Sequence, residues 1–346
     1  MRRPLISILI VNYNQKGYTK ACLESLNQIT YKNIEIIVVD NNSTDGSREM
    51  LKKFKNSKFP ARGGQAKLQI IENGENLGFA GGNNAGYKRA RGEYVLLLNN
   101  DTKVTPGFLE PLVEDMQKDK KLGIVQSKMY VMDRPRYLDS VASYLTFTGY
   151  LYHEGYLAKD VGQFDELKYA LSVKGACMLV RKSALKLGLF DEDYFAYFEE
   201  TDLCWRTWLL GYKVAFEPKS VIYHKMGATS GKMNNWFIQF HSFKNRIRTI
   251  LKNVSLGTLV WMMPVHLFVS LGFMCYLLVT GRFGGVASIV RAVVWNVSNI
   301  SDTLRKRKKV QSLRKLDDRE VFKYTLNNPS IGFYRRHLGL LMKGVK

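Results

Sequence analysis

The chain has 346 residues, 46% of them hydrophobic and 12% aromatic, and a formal net charge of +22. That length accommodates one large domain with an appendage, or two modest domains, and the composition excludes an intrinsically disordered chain. The charge is unevenly placed: from Trp236 onward there are 19 Lys and Arg against 4 Asp and Glu. A basic stretch flanking apolar segments fits an anionic lipid surface. Nucleic-acid binding calls instead for aromatics interleaved with Lys and Arg on one face, so no nucleic-acid partner is expected. Cys22, Cys177, Cys204 and Cys275 show neither metal-ligand spacing nor a disulfide framework, and read as free thiols of a reducing compartment.

In chain order, residues 5–11 form a continuous leucine and β-branched run, as in a strand buried on both faces. The run stops at Asn12, too short for a secretory signal, so the N-terminus reads as cytosolic. A helix is predicted over 18–26, a strand over 34–39, a helix over 47–54, a strand over 68–72, a helix over 83–90 and a strand over 94–98. Residues 55–67 read as a surface loop, and 130–169 as an irregular stretch rich in Tyr, Gly and Asp. Strands follow at 173–180 and 214–216, with a helix over 197–210 between them. This alternation implies an α/β fold with a doubly wound, mainly parallel sheet, whose ligands bind at the carboxyl ends of the strands.

Polar clusters fall at those ends. Asp40 can accept the N3–H of uracil or thymine, or simply cap the helix that follows. In Asn99-Asn100-Asp101, a carboxylate with an oxygen donor two residues earlier suits Mg²⁺ or Mn²⁺ shared with a diphosphate, or is a polar turn. Glu199-Glu200-Thr201-Asp202 opens a helix, where acidic residues complement the dipole; three crowded carboxylates also supply a general base with a raised pKa. His224 suits a metal or phosphate, or is an ordinary packed histidine. The glycines from Gly78 to Gly86 do not follow the first strand, which excludes a Rossmann dinucleotide fingerprint.

The order of these motifs carries more than any one of them. Val11-Asn12-Tyr13-Asn14, then Val39-Asp40-Asn41-Asn42-Ser43-Thr44-Asp45-Gly46-Ser47, then Asn76-Leu77-Gly78-Phe79-Ala80-Gly81-Gly82-Asn83 resemble the family 2 glycosyltransferases of the GT-A fold. Leu97-Leu98-Asn99-Asn100-Asp101-Thr102, Gly175-Ala176-Cys177-Met178, Phe198-Glu199-Glu200-Thr201-Asp202-Leu203-Cys204-Trp205-Arg206 and Tyr223-His224 are similar to the rhamnosyltransferase-like branch. The resemblance covers roughly residues 4–230. It implies inverting transfer of a sugar from dTDP-rhamnose or a UDP-sugar to a hydroxyl of a lipid-linked or cell-surface glycan, in polysaccharide biosynthesis.

On the matching positions, the resemblance implies that Asp40 binds the pyrimidine, with Asn12 and Tyr13 near the base and Asn42, Asn83 and Asn100 binding the nucleotide. Asp101 would hold the divalent cation, Mg²⁺ or Mn²⁺, and His224 would face that metal or the leaving diphosphate. Glu200 would deprotonate the acceptor hydroxyl, with Asp202 a rival base and Glu199 and Asn99 completing the acidic motifs. Two departures stand out. Asn99 replaces the first carboxylate of the usual Asp-x-Asp, and Glu200 stands where many members have Asp. The altered acidic motifs leave a catalytically idle, nucleotide-sugar-binding scaffold of the same fold as the alternative.

The domain boundary is expected near 235/236, with residues 1–235 as the catalytic domain and 236–346 as a basic and apolar helical region that associates with a membrane. A basic helix over 237–251 precedes an almost wholly apolar stretch, 257–280, long enough for a bilayer core. Gly281 to Gly285 break it. Val286, Ile289, Val293, Val297 and Ile300 then form one apolar stripe of a further helix, followed by the basic run from Arg305 to Lys309. Basic clusters on both sides favour a hairpin or an in-plane arrangement at the cytoplasmic face. A single span and a buried core or oligomer helix remain alternatives, and oligomerisation stays open.

Overall fold

Strand β1 (Ile6–Asn12) shows why the first half folds as it does. Its Ile6, Ile8 and Ile10 enter one hydrophobic cluster and Leu9 the other, one on each face of the sheet. The computed structural model describes residues 3–56, 68–228, 231 and 234–330. Helix α1 (Lys16–Leu26), β2 (Ile34–Asp40), α2 (Ser47–Asn56), β3 (Leu68–Glu72), α3 (Gly78–Tyr87) and β4 (Tyr94–Leu98) complete the first half. In this half the strand order is β3-β2-β1-β4, all neighbours parallel.

The second half is mixed. It runs through β5 (Thr102–Val104), α4 (Leu109–Lys118), β6 (Leu122–Val131), β7 (Arg134–Leu138), the hairpin β8 (Ala142–Leu145) and β9 (Leu151–Glu154), β10 (Lys168–Tyr169), β11 (Cys177–Arg181), α5 (Glu199–Leu209) and β12 (Lys213–His224). Strand β11 lies antiparallel between β4 and β6, and β12 is parallel to β6. Because β11 runs backwards, the loop before it reaches the same sheet edge as the end of β4, beside the polar cluster.

The α/β reading holds, with several differences of detail. Helix α3 starts at Gly78, five residues before the expected 83, because its glycines are needed for packing: a Cβ on Gly82 would lie 2.8 Å from Val11 Cγ1. The expected 173–180 strand begins only at Cys177. The expected 214–216 strand is the start of a twelve-residue strand with a register shift between Glu217 and Val221. The stretch 130–169, read as irregular, contains β7 and the β8–β9 hairpin. Most of the expected 55–67 loop and the last part of the 236–346 region lie outside the described residues.

The C-terminal region is helical: α6 (Asn235–Asn253), α7 (Leu256–Val279), α8 (Phe283–Ser298), α9 (Ile300–Ser312) and α10 (Asp318–Thr325). Its packed faces are small and polar as much as apolar. In α8 the packed face is Gly285, Ser288, Ile289, Ala292 and Asn296, while Val293 and Val297 of the expected stripe point outward with Val290 and Val294. Small residues permit this approach, since a Cβ on Gly284 would lie 2.5 Å from Trp236 Nε1. Ser288 Oγ donates to the Trp236 carbonyl and Asn296 Nδ2 to that of Lys244. Helix α7 is built the same way. Thr258, His266 and Ser270 face inward, while Val260, Phe268, Leu271 and Val279 are exposed. The basic run is also divided: Lys306 and Arg307 bond inward, and Arg305, Lys308 and Lys309 face out.

A buried ion cluster fastens this region to the sheet domain. Arg248, fully buried on α6, lies 3.2 Å from Asp191, 2.6 Å from Asp193 and 2.5 Å from Asp302. Lys252 and Lys306 add contacts to Asp191 at 2.8 and 2.6 Å. Burial alone would raise the Asp191 pKa, but Lys252 and Arg248 hold it well below its ordinary value. A depressed carboxylate contributes stability above its ordinary pKa and loses it as pH falls towards the folded value, so this attachment weakens in acid. Arg248→Met removes the fully buried cation of the cluster, leaving Asp191 to Lys252 and Lys306 alone, and is expected to cost about 3 kcal/mol in urea unfolding at neutral pH.

Candidate active site

The carboxyl ends of β1, β2 and β4 are tied by one buried polar network. Asn12 Nδ2 donates to Asp40 Oδ1 at 2.8 Å and to Ser43 Oγ at 3.0 Å. Asn12 Oδ1 accepts from Thr19 Oγ1 at 2.6 Å and from Asn100 Nδ2 at 3.2 Å, and Asn100 also donates to Thr19 at 2.9 Å. Asp40 is fully buried, its other oxygen accepting from Ser43 N at 2.9 Å and Arg48 Nε at 3.1 Å. Asn42, at φ +66°, accepts from Arg48 Nη2. Asn83 donates to the Phe79 carbonyl at 2.9 Å inside α3.

A cavity of about 510 Å³ opens beside this network. Of the residues expected to meet a nucleotide, Tyr13 and Asn100 line it; Asn12, Asp40 and Asn83 are buried without lining it, and Asn42 is exposed to solvent. Asn41 lines it too, oriented by donating to the Gly78 carbonyl at 2.8 Å and accepting from Asn73 at 2.7 Å. The sequence reading quoted Asn41 in a motif without giving it a role.

Asp101 and His224, far apart in sequence, meet in this cavity through the pairing of β5 with the end of β12. His224 Nε2 lies 3.2 Å from Asp101 Oδ1, outside hydrogen-bond geometry, and both that oxygen and Asn99 Oδ1 are buried without a hydrogen-bond partner. On its other side, His224 Nδ1 is 2.6 Å from Asp139, which also pairs with Lys174. Burial opposes protonation of His224, but Asp101 and Asp139 raise its pKa to about 9. Two orphaned oxygens beside an oriented imidazole fit a divalent cation. Among the described residues no three His, Cys, Asp or Glu side chains converge as metal ligands, so a cation would take its remaining ligands from a bound diphosphate or water. Asp139 was missed because it lies in the stretch read as irregular.

The acidic motif divides. Glu199 and Glu200 line the cavity, each with an unpartnered buried Oε2. Burial raises both pKa values; the Glu200 charge pushes Glu199 further up, and a backbone hydrogen bond and Lys174 partly offset the rise of Glu200. Asp202 has a different post. It does not line the cavity, and accepts from Arg206 Nε at 2.8 Å and Asn253 Nδ2 at 3.1 Å, with Lys252 at 3.1 Å. Burial acts to raise its pKa, but Lys252 and Arg206 win and hold it below the ordinary value. Of the two, Glu200 alone presents an unpartnered oxygen at the cavity.

The approach to α5 is strained. Phe195, Tyr197 and Phe198 all have positive φ, between +61° and +73°, unusual for aromatic residues. Asn245 of α6, fully buried, holds them: its Nδ2 reaches the carbonyls of Tyr194, Ala196 and Tyr197 at 3.0, 2.9 and 2.6 Å. Asn245→Ala is expected to raise amide exchange over residues 195–198 at least tenfold while leaving β1, β2 and β4 protected. Unchanged exchange there would show that Asn245 does not hold the segment.

Residues 7–188 match the family described as Glycosyl transferase family 2. The chain is 26% identical over 229 residues to the poly-beta-1,6-N-acetyl-D-glucosamine synthase of Staphylococcus epidermidis, covering 65% of this chain and 51% of that protein. It is 28% identical to an uncharacterized protein of Sinorhizobium fredii over 236 residues, 66% of this chain and 25% of that one. The chain thus spans about half or less of the length of the curated relatives it matches. Among solved structures, the fold resembles residues 1–349 of S. aureus TarS in complex with UDP-GlcNAc, with a TM-score of 0.57 at 15% identity, covering 89% of this chain and 90% of that one. It also resembles a mannosyltransferase from Pyrobaculum calidifontis in complex with GDP-Man and Mn²⁺, with a TM-score of 0.55 at 16% identity, covering 91% and 82%. The match extends over more than half of the sequence, its motifs surround one cavity, and the chain belongs to glycosyl transferase family 2.

Proposed function

We propose that the protein is an inverting hexosyltransferase that moves a sugar from a pyrimidine-nucleotide donor to a hydroxyl of a lipid-linked glycan at a membrane surface. The observation carrying this reading is the single cavity in which unpartnered oxygens of Glu200 and Asp101 stand together. Tyr13, Asn41 and the turn organised by Asp40 receive the base. Asp101 and His224 hold a divalent cation, Mg²⁺ or Mn²⁺, which when bound offsets charge on the leaving diphosphate. Glu200 takes the acceptor proton, its raised pKa making it a competent base near neutral pH. The name of the S. epidermidis synthase supports transfer of an N-acetylglucosamine unit, and the motif resemblance supports dTDP-rhamnose or a UDP-sugar as donor.

The membrane reading rests on the inverted helices. Among the described residues α7 alone is long and apolar enough to cross a bilayer unaided. Its inward face is nevertheless bonded to the catalytic domain: His266 lies 3.0 Å from the Thr148 carbonyl and Ser270 2.8 Å from the Tyr150 hydroxyl. That favours α7 and α8 lying in the interface of the cytoplasmic leaflet, apolar faces outward, over α7 leaving the domain as a span.

A donor panel with Mg²⁺ or Mn²⁺ tests the chemistry. Turnover is expected to fall at least 100-fold in Glu200→Gln and Asp101→Ala, and the product to show inverted anomeric configuration by NMR; near-normal turnover in both variants would sink the assignments. The acid limb of the kcat profile reports deprotonation of Glu200 and is expected above the ordinary Glu value of about 4.3. In flotation with anionic vesicles, Phe268→Glu combined with Val294→Glu is expected to lose most of the bound fraction. Undiminished flotation would move the contact elsewhere.

A further inference from the structure

Two arginines two residues apart on α6 have opposite surroundings. Arg248 is matched by three carboxylates. Arg246 has none: among the described residues no carboxylate lies within ion-pair distance, and its Nε and Nη1 are buried without a hydrogen-bond partner. Its guanidinium is stacked instead, 4.3 Å from the Tyr150 ring centroid and 5.3 Å from those of Phe198 and Phe243. Burial without a counter-charge disfavours its charged form. An uncompensated buried cation is destabilising, and such a group in a cavity is a mark of a site completed by a ligand.

Its position indicates the ligand. Arg246 lines the same cavity as Glu200, but at a part built by α6 and the β8–β9 turn rather than by the strand ends that carry Asp101. Tyr150, on which it stacks, is also the contact to the apolar helix: its hydroxyl bonds Ser270 and its ring lies 4.7 Å from that of His266. Arg246 therefore stands at the seam between the cavity and the helix whose outer face is apolar. A planar fork of donors, held flat by aromatics, suits the paired oxygens of a phosphate ester.

We infer that Arg246 is the anion site for the acceptor, binding the phosphate or diphosphate that joins its saccharide to a lipid. This rests on the proposal that the acceptor is lipid-linked. It adds the group that holds the acceptor's charged junction while its hydroxyl faces Glu200. The donor diphosphate has its own partners at Asp101 and His224.

The test uses the full chain in detergent, with farnesyl diphosphate as the probe and farnesol, inorganic pyrophosphate and UDP with Mn²⁺ as comparisons. Titration calorimetry is expected to show farnesyl diphosphate binding at least tenfold more tightly than farnesol or pyrophosphate. Arg246→Gln is expected to weaken it at least tenfold, and Arg246→Lys less, with UDP affinity kept within twofold. Arg246→Met is expected to leave the thermal midpoint unchanged or raise it, since an unpaired buried charge is removed; that arm separates lost binding from lost folding. Unchanged farnesyl diphosphate affinity in Arg246→Gln overturns the inference. So does an equal loss of UDP affinity, which would give Arg246 to the donor. Pyrophosphate binding as tightly as farnesyl diphosphate overturns the lipid source. A wild-type chain that binds no UDP, dTDP or nucleotide-sugar would defeat the transferase reading while leaving the farnesyl diphosphate comparison interpretable.

Discussion

The site depends on one constraint: polar side chains at the ends of three parallel strands satisfy one another out of water. A buried Asp or Asn without partners costs on the order of 1–3 kcal/mol, so Asn12, Thr19, Asp40 and Asn100 are stable there only as a set. Once closed, the set fixes the spacing of β1, β2 and β4 and thereby the places of Tyr13, Asn41 and Asp101 on the cavity wall. Asp40 works from behind that wall, through Asn12, Ser43 and Arg48.

A second constraint enters through α6. Asn245 steadies the strained aromatic segment ahead of Glu199 and Glu200, Arg248 and Lys252 anchor the helix to the sheet domain, and Arg246 turns into the cavity. The boundary expected at 235/236 falls between residues that contact one another across it. The acidic motif is shaped by residues from both sides of it.

The parallel half was readable from sequence because β1, β2 and β4 are buried on both faces and leave continuous apolar runs; 94–98 matches the observed β4 end to end, and 68–72 matches the half-buried edge strand β3. The convergence of Asp101 with His224 followed from motif resemblance, and strand pairing supplies its geometry. Other features left no local trace. Asp139 orients His224 from a stretch without periodicity, and Asn245 is one polar residue in a basic helix. Spacing does not separate the surroundings of Glu200 from those of Asp202, because the partners that occupy Asp202, Arg206, Lys252 and Asn253, include residues some 50 positions away. The stripe on α8 was legible as an apolar face, but periodicity does not say whether protein lies against it.

Helices α7 and α8 place hydroxyls, an imidazole and an amide towards the protein and valine, leucine and phenylalanine away from it. Met262, Leu277, Ile289 and Ala292 are buried, but most other apolar residues of the two helices lie outside. A surface of that kind suits a place where two solvents meet. In plain buffer those faces have nothing to cover them but each other, and copies of the chain would collect into assemblies whose size reflects preparation rather than biology. A measured oligomeric state acquires meaning only when a lipid or detergent phase is supplied.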